Sequence, residues 1–423
     1  MALFALQSAA HGGDLWDIYQ IALQRDAAYR AAGYQYQSAR LTLPLAQTAF
    51  RPSLSVQGSA QHIDAPGTPE ADTTSDNQVN LNADLRLYDR ALRGEVSQAE
   101  LQAENARIRF DQAHDDLIIR VADRYFQLLA ALDGKEVARR QKVSIKRQMD
   151  LTAERLAVGL GTETDLLDAR ARFQQAVSDE IQADNRIDNA VQALKRITGS
   201  MPDALSPLAA DAPLERPAPE SMRTWIEKAL QNSLALTVAR LDLEIARFEI
   251  EKQKAARWPN LMISASQRWR DTNTPFTGND STSFSATLNW PLHQRGAIRL
   301  RTRQAALNLN AVEQRLEERE RQVESDTASA YLAVASGISR VDALSEAVRA
   351  GAASLRAKEE GFRAGLTTNL DVLDAQRDLS RSRTDYLSAR YDFIRAVLRL
   401  EREVGDLDEA DVKRVNTWLV NGQ

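Results

Sequence analysis

The chain has 423 residues, of which 27% are charged and only 6% are aromatic, and its formal net charge is −5. This composition is typical of long helices, and a mild negative charge without a basic stripe argues against nucleic acid as a partner. Cysteine is absent, which excludes disulfides, thiol nucleophiles and thiolate metal sites. The four histidines are scattered singly, and no nucleophile–base pair or phosphate loop is present, so we expect no metal, no cofactor and no enzymatic activity.

The first 13 residues, "MALFALQSAAHGG", are similar to the rear half of a secretory signal peptide, with a short apolar run followed by small residues. A frayed N-terminus is the alternative. No stretch further along approaches 18 consecutive apolar residues, so we expect no transmembrane helix. If the chain enters a membrane, it does so by strands.

A helical segment is predicted over 14–52, and a β-hairpin over 53–88 follows it. In the stretches "SLSVQGSAQ" (53–61) and "QVNLNADLRLY" (78–88), apolar and polar residues alternate, which predicts two strands with one apolar and one polar face. The polar, turn-rich loop 64–76 joins them.

Long helices are predicted over 89–200. The segment 70–201 contains no proline, which permits long helices. A helix from about Ala91 to Val158 would reach roughly 100 Å at 1.5 Å per residue. Apolar residues spaced by three or four supply the positive evidence: Phe110, Ala113, Leu117, Val121, Tyr125, Leu128 and Leu132.

The phrase "VGLGTETDLLDA" at 158–169 returns as "AGLTTNLDVLDA" at 364–375, with seven of the twelve residues identical. In each phrase Thr-x-x-Asp is close to a capping box, and the glycine before it suits the left-handed residue that ends the incoming helix. Each phrase therefore predicts a tight helix–turn–helix. The residues are Gly159, Thr162 and Asp165 in the first phrase and Gly365, Thr368 and Asp371 in the second.

The offset of 206 or 207 residues continues outside this phrase, so the chain consists of two structural copies. A proline-rich segment, 201–222, joins them. The second copy repeats the order of the first, and its apolar stripe runs through Ala328, Tyr331 and Val334. Its predicted parts are a helix over 223–259, a β-hairpin over 260–292, long helices over 293–405 and a C-terminal segment over 406–423.

Four strands cannot close a useful pore, whereas three chains would supply twelve. A closed barrel would remove the unpaired strand edges and place the apolar face against lipid. Trp269 and Trp290 lie near strand ends, where an aromatic girdle would lie. A soluble sheet is the alternative.

The duplicated order of helix, hairpin, long helix, "GLxTxxDxLDA" turn and returning helix resembles the TolC family of outer-membrane channel-tunnels. The resemblance extends from about Leu15 to Gly405 and includes a proline before each first strand, Pro52 and Pro259. The absence of cysteine fits the unlipidated branch. The resemblance implies a mainly α fold with a small β part. Duplicated long-helix hairpins would form an α-helical barrel, and four strands per chain would contribute to a 12-stranded trimeric β-barrel.

It also implies a homotrimer in the outer membrane of a Gram-negative bacterium, in contact with outer-membrane lipid and extending into the periplasm. Such a trimer serves multidrug efflux, type I protein secretion or both, together with an inner-membrane pump of the ABC or RND type and a periplasmic adaptor. The segments 201–222 and 406–423 would form an equatorial belt. A periplasmic coiled-coil scaffold without a channel is the alternative function.

Finally, the resemblance implies a gate at the periplasmic mouth. In the family, a carboxylate near the first turn bonds to a Tyr and an Arg near the second turn, and two acids ring the constriction. By position the first carboxylate is Asp165, and the ring acids are Asp371 and Asp374. Their spacing of three places both ring acids on one helix face.

The other two positions depart from the family pattern. Phe362 stands at the Tyr position and has no hydroxyl, and Thr367 stands at the Arg position and has no charge. Either other residues close the mouth, with Arg363 the nearest candidate, or the resting state is held less tightly.

Overall fold

The structure is a computed structural model that describes residues 13–64, 73–200, 204–272 and 280–420. The side chains of residues 63, 64, 73 and 74 are not described. Several predicted features fall outside these residues: the signal-peptide remnant apart from Gly13, the middle of both loops between paired strands, the start of the linker and the last three residues.

The described residues form ten helices and four strands. The first copy contains α1 (Leu15–Arg25), α2 (Ala27–Arg40), α3 (Thr42–Thr48), β1 (Ser53–Asp64), β2 (Thr73–Tyr88), α4 (Arg90–Ala157) and α5 (Glu163–Thr198). The second copy contains α6 (Met222–Asn232), α7 (Leu234–Ala255), β3 (Asn260–Thr272), β4 (Asp280–Asn289), α8 (Ala297–Arg363), α9 (Asn369–Val404) and α10 (Glu409–Asn416). Within these residues no helix is both long and apolar enough to cross a membrane.

The described chain divides into two compact units. The sheet unit consists of residues 34–110 and 237–319 and contains all four strands. The helical unit consists of the described parts of 1–33, 111–236 and 320–423 and contains both repeated turns.

The first helical segment of each copy is interrupted at equivalent positions, Asp26 and Ser233. Both residues have ψ values near 120° and are about 95% buried. The Asp26 carboxylate accepts a hydrogen bond from the backbone N–H of Tyr29 at 2.7 Å and so caps the helix that follows.

The four strands form one antiparallel sheet in the order β1-β2-β3-β4. The first hairpin extends beyond the predicted strands, because backbone pairing continues through polar residues as far as Asp64 and Thr73. β4 ends at Asn289, earlier than predicted, and Pro291 follows, which has no N–H to continue a ladder. The pairing of β2 with β3 joins the hairpins of the two copies.

The long helices of the helical unit bury stripes of different widths, and the stripe of α5 is narrow and recurs every seven residues. In α5 the buried stripe consists of Ala169, Ala176, Ala183 and Ala190. This period of 3.5 residues per turn is that of a left-handed coiled coil, and alanine lets the neighbouring backbone approach closely. In α8 the buried residues are Ile298, Ala305, Val323, Thr327, Val334, Val341 and Phe362; of the predicted stripe, Val334 is buried, and Ala328 and Tyr331 are partly exposed.

The linker and the C-terminal segment, which the resemblance places in one belt, pair with each other. The N–H of Ala209 donates to the carbonyl of Trp418 at 2.9 Å, and that of Val420 donates to the carbonyl of Pro207 at 2.8 Å. The side chain of Asn416, at the end of α10, donates to Asp14 at 3.0 Å. The C-terminal segment is thus fixed to the linker and to the start of α1.

Candidate functional site

The sheet has one largely apolar face, because apolar residues of neighbouring strands stand opposite each other, and the pair Gln267 and Thr282, which hydrogen-bond to each other, interrupts it. Leu54 pairs with Ala83, and Ala265 pairs with Phe284. Leu54 is 71% exposed and Phe284 82% exposed, so nothing in the described chain covers this face. An exposed apolar surface of this kind marks an interaction with lipid or protein. Its members are Leu54, Val56, Val79, Leu81, Ala83, Leu85, Ile263, Ala265, Trp269, Phe284, Ala286 and Leu288.

The opposite face of the sheet is polar and bonded across the strands. The hydroxyl of Ser264 donates to Asp84 at 2.6 Å. The guanidinium of Arg270 donates to both carboxylate oxygens of Asp76, at 2.7 and 2.9 Å. The outer edges of β1 and β4 have no strand partner within the described residues.

The two repeated turns have the same backbone geometry. Gly159 and Gly365 both have a φ of +77°, a left-handed conformation that favours glycine. The N–H of Leu160 donates to the carbonyl of Arg155 at 2.8 Å, and the N–H of Leu366 donates to that of Gly361 at 2.7 Å. These are the bonds of a Schellman motif, so α4 and α8 end in the same way.

Both predicted capping boxes are present. Thr162 accepts from the N–H of Asp165 at 3.1 Å, and its own N–H donates to the Asp165 carboxylate at 3.3 Å. The corresponding distances between Thr368 and Asp371 are 3.2 and 3.0 Å. The hydrogen bonds from Thr368 lower the pKa of Asp371, which keeps this carboxylate ionised. Asp165 and Asp371 therefore hold the start of their own helices.

Asp374 is paired within the chain. Its carboxylate accepts a hydrogen bond from Arg172 of α5 at 3.2 Å, and a second guanidinium, that of Arg377, lies at 3.5 Å. The side chain remains about one-third exposed. Asp374 thus links α5 to α9, and two positive charges offset its own.

Phe362 is held by an arginine that the sequence analysis missed. The guanidinium carbon of Arg155 lies 4.6 Å from the centroid of the Phe362 ring, and an Arg155 N–H donates to the Phe362 carbonyl at 2.7 Å. The first contact is a cation–π interaction, and Phe362 is 8% exposed. Arg155 belongs to the last turn of α4, so this contact joins the turn regions of the two copies.

The remaining two predicted gate residues, Thr367 and Arg363, form no ion pair with each other. The hydroxyl of Thr367 donates to the carbonyl of Lys358 at 2.9 Å, within its own turn. Thr367 also packs against Gly361, where an added Cβ would come within 2.9 Å of the threonine methyl. Arg363 is exposed and has no carboxylate partner among the residues that the structure describes.

Asn369, another residue that the sequence analysis missed, ties the start of α9 to both helices of the first copy. It is 2% exposed. Its amide oxygen accepts from Gln148 at 2.8 Å and from Thr152 at 3.2 Å, and its NH₂ group donates to the carbonyl of Asp165 at 3.1 Å. Its partners lie about 200 residues away in the chain, so no local pattern could have identified it.

No three His, Asp or Glu side chains in the described part of the chain lie close enough together to hold a metal ion. The absence of a metal and a cofactor stays a prediction.

Comparisons with known proteins agree with this architecture. The sequence model of the family "Outer membrane efflux protein" matches residues 18–200 and 225–406, one stretch in each copy. The chain is similar to the outer membrane protein TolC of Vibrio cholerae, with 31% identity over 99% of this chain and 96% of that protein. It is also similar to the alkaline protease secretion protein AprF of Pseudomonas aeruginosa, with 28% identity over 100% of this chain and 90% of that protein.

Among solved structures, the outer membrane protein VceC from Vibrio cholerae matches with a TM-score of 0.79 at 18% identity, over 92% of this chain and 96% of that one. At this identity the match concerns the fold alone. The predicted class, mainly helical with a small antiparallel sheet, is confirmed.

Proposed function

The chain belongs to the family of outer membrane efflux proteins, and on this premise we propose that it acts as one subunit of a homotrimeric duct. The protein is an outer-membrane exit duct for efflux, type I secretion or both. In the proposed trimer, four strands from each copy form a twelve-stranded barrel, and the helices form the tunnel that extends into the periplasm.

The observation that carries the trimer is the sheet. It has an exposed apolar face, a bonded polar face and two outer edges without a strand partner among the described residues. In a lipid bilayer every backbone polar group needs a partner, so strands can span it only as a closed barrel. Pairing the β1 edge of one copy with the β4 edge of the next would close the barrel. The apolar face would then contact lipid, and the polar face would line the lumen.

The two turn regions would form the periplasmic mouth of the tunnel. Threefold symmetry would bring three copies of Asp371 and Asp374 around one axis. The Asp371 carboxylates would favour cations and repel anions there, whereas the charge of Asp374 is offset by Arg172 and Arg377. Because Phe362 and Thr367 cannot make the family's bonds, the contact of Arg155 with Phe362 would hold the two turns of each chain together. Asp165 supports this arrangement from its capping box, and Arg363 is free to bond across copies.

The same turns offer a surface for the partners. Leu160 is 70% exposed and Leu366 is 82% exposed, at equivalent positions of the two turns. An apolar side chain so exposed on a tight turn suits docking. We place a periplasmic adaptor on these tips and an inner-membrane pump of the ABC or RND type beyond it.

Single-channel conductance in planar bilayers tests the gate. Replacing Arg155 with Gln removes both the cation–π contact and the bond to the Phe362 carbonyl, so the resting conductance should rise. The matched control is Arg147→Gln, which neutralises an exposed arginine of the same helix two turns earlier. Arg363→Gln tests the alternative gate residue.

A higher conductance for Arg155→Gln alone supports the Arg155 gate. Unchanged conductance for Arg155→Gln together with a rise for Arg363→Gln would assign closure to Arg363 instead. A wild-type chain that stays a soluble monomer and never conducts would contradict the duct itself and favour a periplasmic scaffold.

A further inference from the structure

One end of the sheet is surrounded by arginines. This end is where β1 and β3 begin and where β2 and β4 finish, as the pairing of Tyr88 with Leu261 and of Asn260 with Asn289 places them. Four short segments enter or leave the sheet here: 50–52, 89–94, 255–259 and 290–303. We call their arginines the arginine collar.

In the first copy the collar contains Arg51, Arg90 and Arg93, all of them exposed. The acidic residue of these segments is Asp89, and its carboxylate accepts from the N–H of Ala91 at 2.9 Å, at the start of α4. Its charge therefore supports a helix start.

In the second copy the collar contains Arg257, Arg295, Arg299, Arg301 and Arg303, again all exposed, and these segments contain no acidic residue. Arg299 and Arg303 are four residues apart on one face of α8, where like charges repel. This density contrasts with the whole chain, in which 59 acidic residues outnumber 54 basic ones. The four segments are far apart in sequence, so only the fold brings the arginines together.

The collar arginines are not neutralised by the chain. Within the described residues none of them forms an ion pair with a carboxylate. Two of them lie on aromatic rings: Arg90 lies 4.8 Å from the ring centroid of Trp258, and Arg93 lies 5.6 Å from that of Tyr88. The other end of the sheet differs, since Arg270 there forms a bidentate pair with Asp76.

Exposed tryptophans stand at the same end of the sheet. Trp258 is 52% exposed and Trp290 is 59% exposed. Leu292, two residues after Trp290, is 80% exposed. Tryptophan side chains of this kind lie at the headgroup level of a membrane, where one part of the ring is apolar and the N–H is hydrated. An arginine just beyond this level meets lipid phosphate, which its planar fork of N–H donors binds in a bidentate manner.

We propose that the arginine collar binds the phosphodiester headgroups of glycerophospholipids in the leaflet that faces the helices. The proposal rests on the insertion of the sheet into the outer membrane, as described under the proposed function. Three copies would form a continuous basic ring, which anchors the barrel at a fixed depth and selects anionic lipids.

The test uses the full-length protein in detergent, with phosphatidylglycerol as the probe. The collar variant combines Arg299→Gln, Arg301→Gln and Arg303→Gln. The control variant combines Arg315→Gln, Arg319→Gln and Arg356→Gln, which remove the same charge from exposed positions of the same helix. The readout is the rise in melting temperature on addition of lipid, with phosphatidylcholine and inorganic phosphate as comparison ligands.

We expect phosphatidylglycerol to stabilise the wild type and the control variant equally, and the collar variant to lose about half of that rise or more. A triple Arg→Lys variant should keep part of the effect, because it keeps the charge but not the bidentate fork. Equal stabilisation of the collar variant and the wild type would overturn the proposal. So would an effect of inorganic phosphate as large as that of the lipid.

Conductance in bilayers separates this proposal from the duct. A collar variant that conducts like the wild type but has lost its lipid response supports the collar. A wild type that does not conduct at all counts against the duct and against the collar that rests on it.

Discussion

Asp115 of α4 is the buried acid whose charge state depends most on the fold. It is 7% exposed, and burial raises its pKa to about 7, with the neighbouring carboxylate of Asp116 adding to the effect and the guanidinium of Arg402 opposing it. The adjacent His114 shares a hydrogen bond of 2.7 Å with the hydroxyl of Tyr19. Burial therefore favours the protonated form of Asp115 over the ionised form in the folded protein.

This shift predicts how stability changes with pH. Because the folded pKa is higher than the unfolded value, the folded state binds the proton more tightly, and stability falls as pH rises from about 4 to about 7. Asp115→Asn removes this loss of stability. At pH 8 the unfolding free energy of the variant should be higher by an amount on the order of 1–4 kcal/mol, and its melting temperature should be higher as a result. Melting curves between pH 5 and pH 8 measure it.

The matched control is Asp150→Asn, which neutralises an exposed acid of the same helix. This variant should keep the wild-type slope of stability against pH. Equal slopes for wild type and Asp115→Asn would show that Asp115 does not titrate in this range.

Residue-level prediction from sequence succeeded where the partners are local. The capping boxes of Thr162 and Thr368 and the left-handed Gly159 and Gly365 follow from spacing, because their bonds close within five residues. Arg155 was not predicted from the sequence, because its partner Phe362 lies 207 residues away in the chain and their contact depends on the packing of one copy against the other.

At the scale of the element, the glycines that end the helices share a backbone conformation but differ in the atoms that surround them. Gly159 and Gly405 have nearly the same left-handed backbone, with φ of 77° and 80°. A Cβ added to Gly159 would meet nothing within 4 Å, whereas a Cβ added to Gly405 would lie 2.6 Å from the backbone oxygen of Asn232. Replacement by alanine is therefore opposed by the left-handed backbone alone at Gly159, and by the left-handed backbone together with steric overlap at Gly405.

We predict that Gly159→Ala destabilises the protein by about 1 kcal/mol, the cost of the left-handed conformation for alanine. Gly405→Ala should cost about 2–4 kcal/mol, since backbone must move to relieve the overlap. Thermal unfolding of the two variants side by side measures the difference, and the wild type is the reference. Equal losses would mean that the end of α9 can shift away from α6 without strain.

Element-level prediction was correct in type and less so in detail. Proline-free segments and alternating residues identified the long helices and all four strands, because both signals depend on local geometry. Of the predicted stripe of α8, Val334 is fully buried, whereas Ala328 and Tyr331 stay partly exposed, because the buried residues of this helix are widely spaced. The alanine seam of α5 was missed because alanine contributes little to an apolar pattern.

At the scale of the whole molecule, the duplication organises the chain. Two copies of one unit bring two hairpins into one sheet through β2 and β3, and they bring two turns together through Arg155 and Asn369. The sequence predicts the two copies from the repeated phrase and from the matches that continue outside it at nearly the same offset. The alternation of apolar and polar residues restricts the register between β2 and β3 to shifts by an even number of residues, and it does not choose among them.

The proposed duct depends above all on the closure of the barrel by three chains. Within one chain β1 and β4 lie on opposite edges of the sheet, three strand spacings or about 14 Å apart, which is too far for a disulfide. A bond between them can therefore form only between copies. The chain has no cysteine, so an engineered pair reports without background.

The most direct measurement is disulfide cross-linking in native outer membranes. Ser55→Cys on β1 is combined in turn with Ser281→Cys, Ser283→Cys or Ser285→Cys on β4, all on the polar face of the sheet, so that the three pairs sample the register between copies. Each single-cysteine variant is the control. Closure by three chains predicts that, after oxidation, denaturing electrophoresis shows a covalent species of three chains for at least one pair. This species should disappear on reduction. Monomers alone for every pair, in membranes that contain the protein, would contradict closure by three chains.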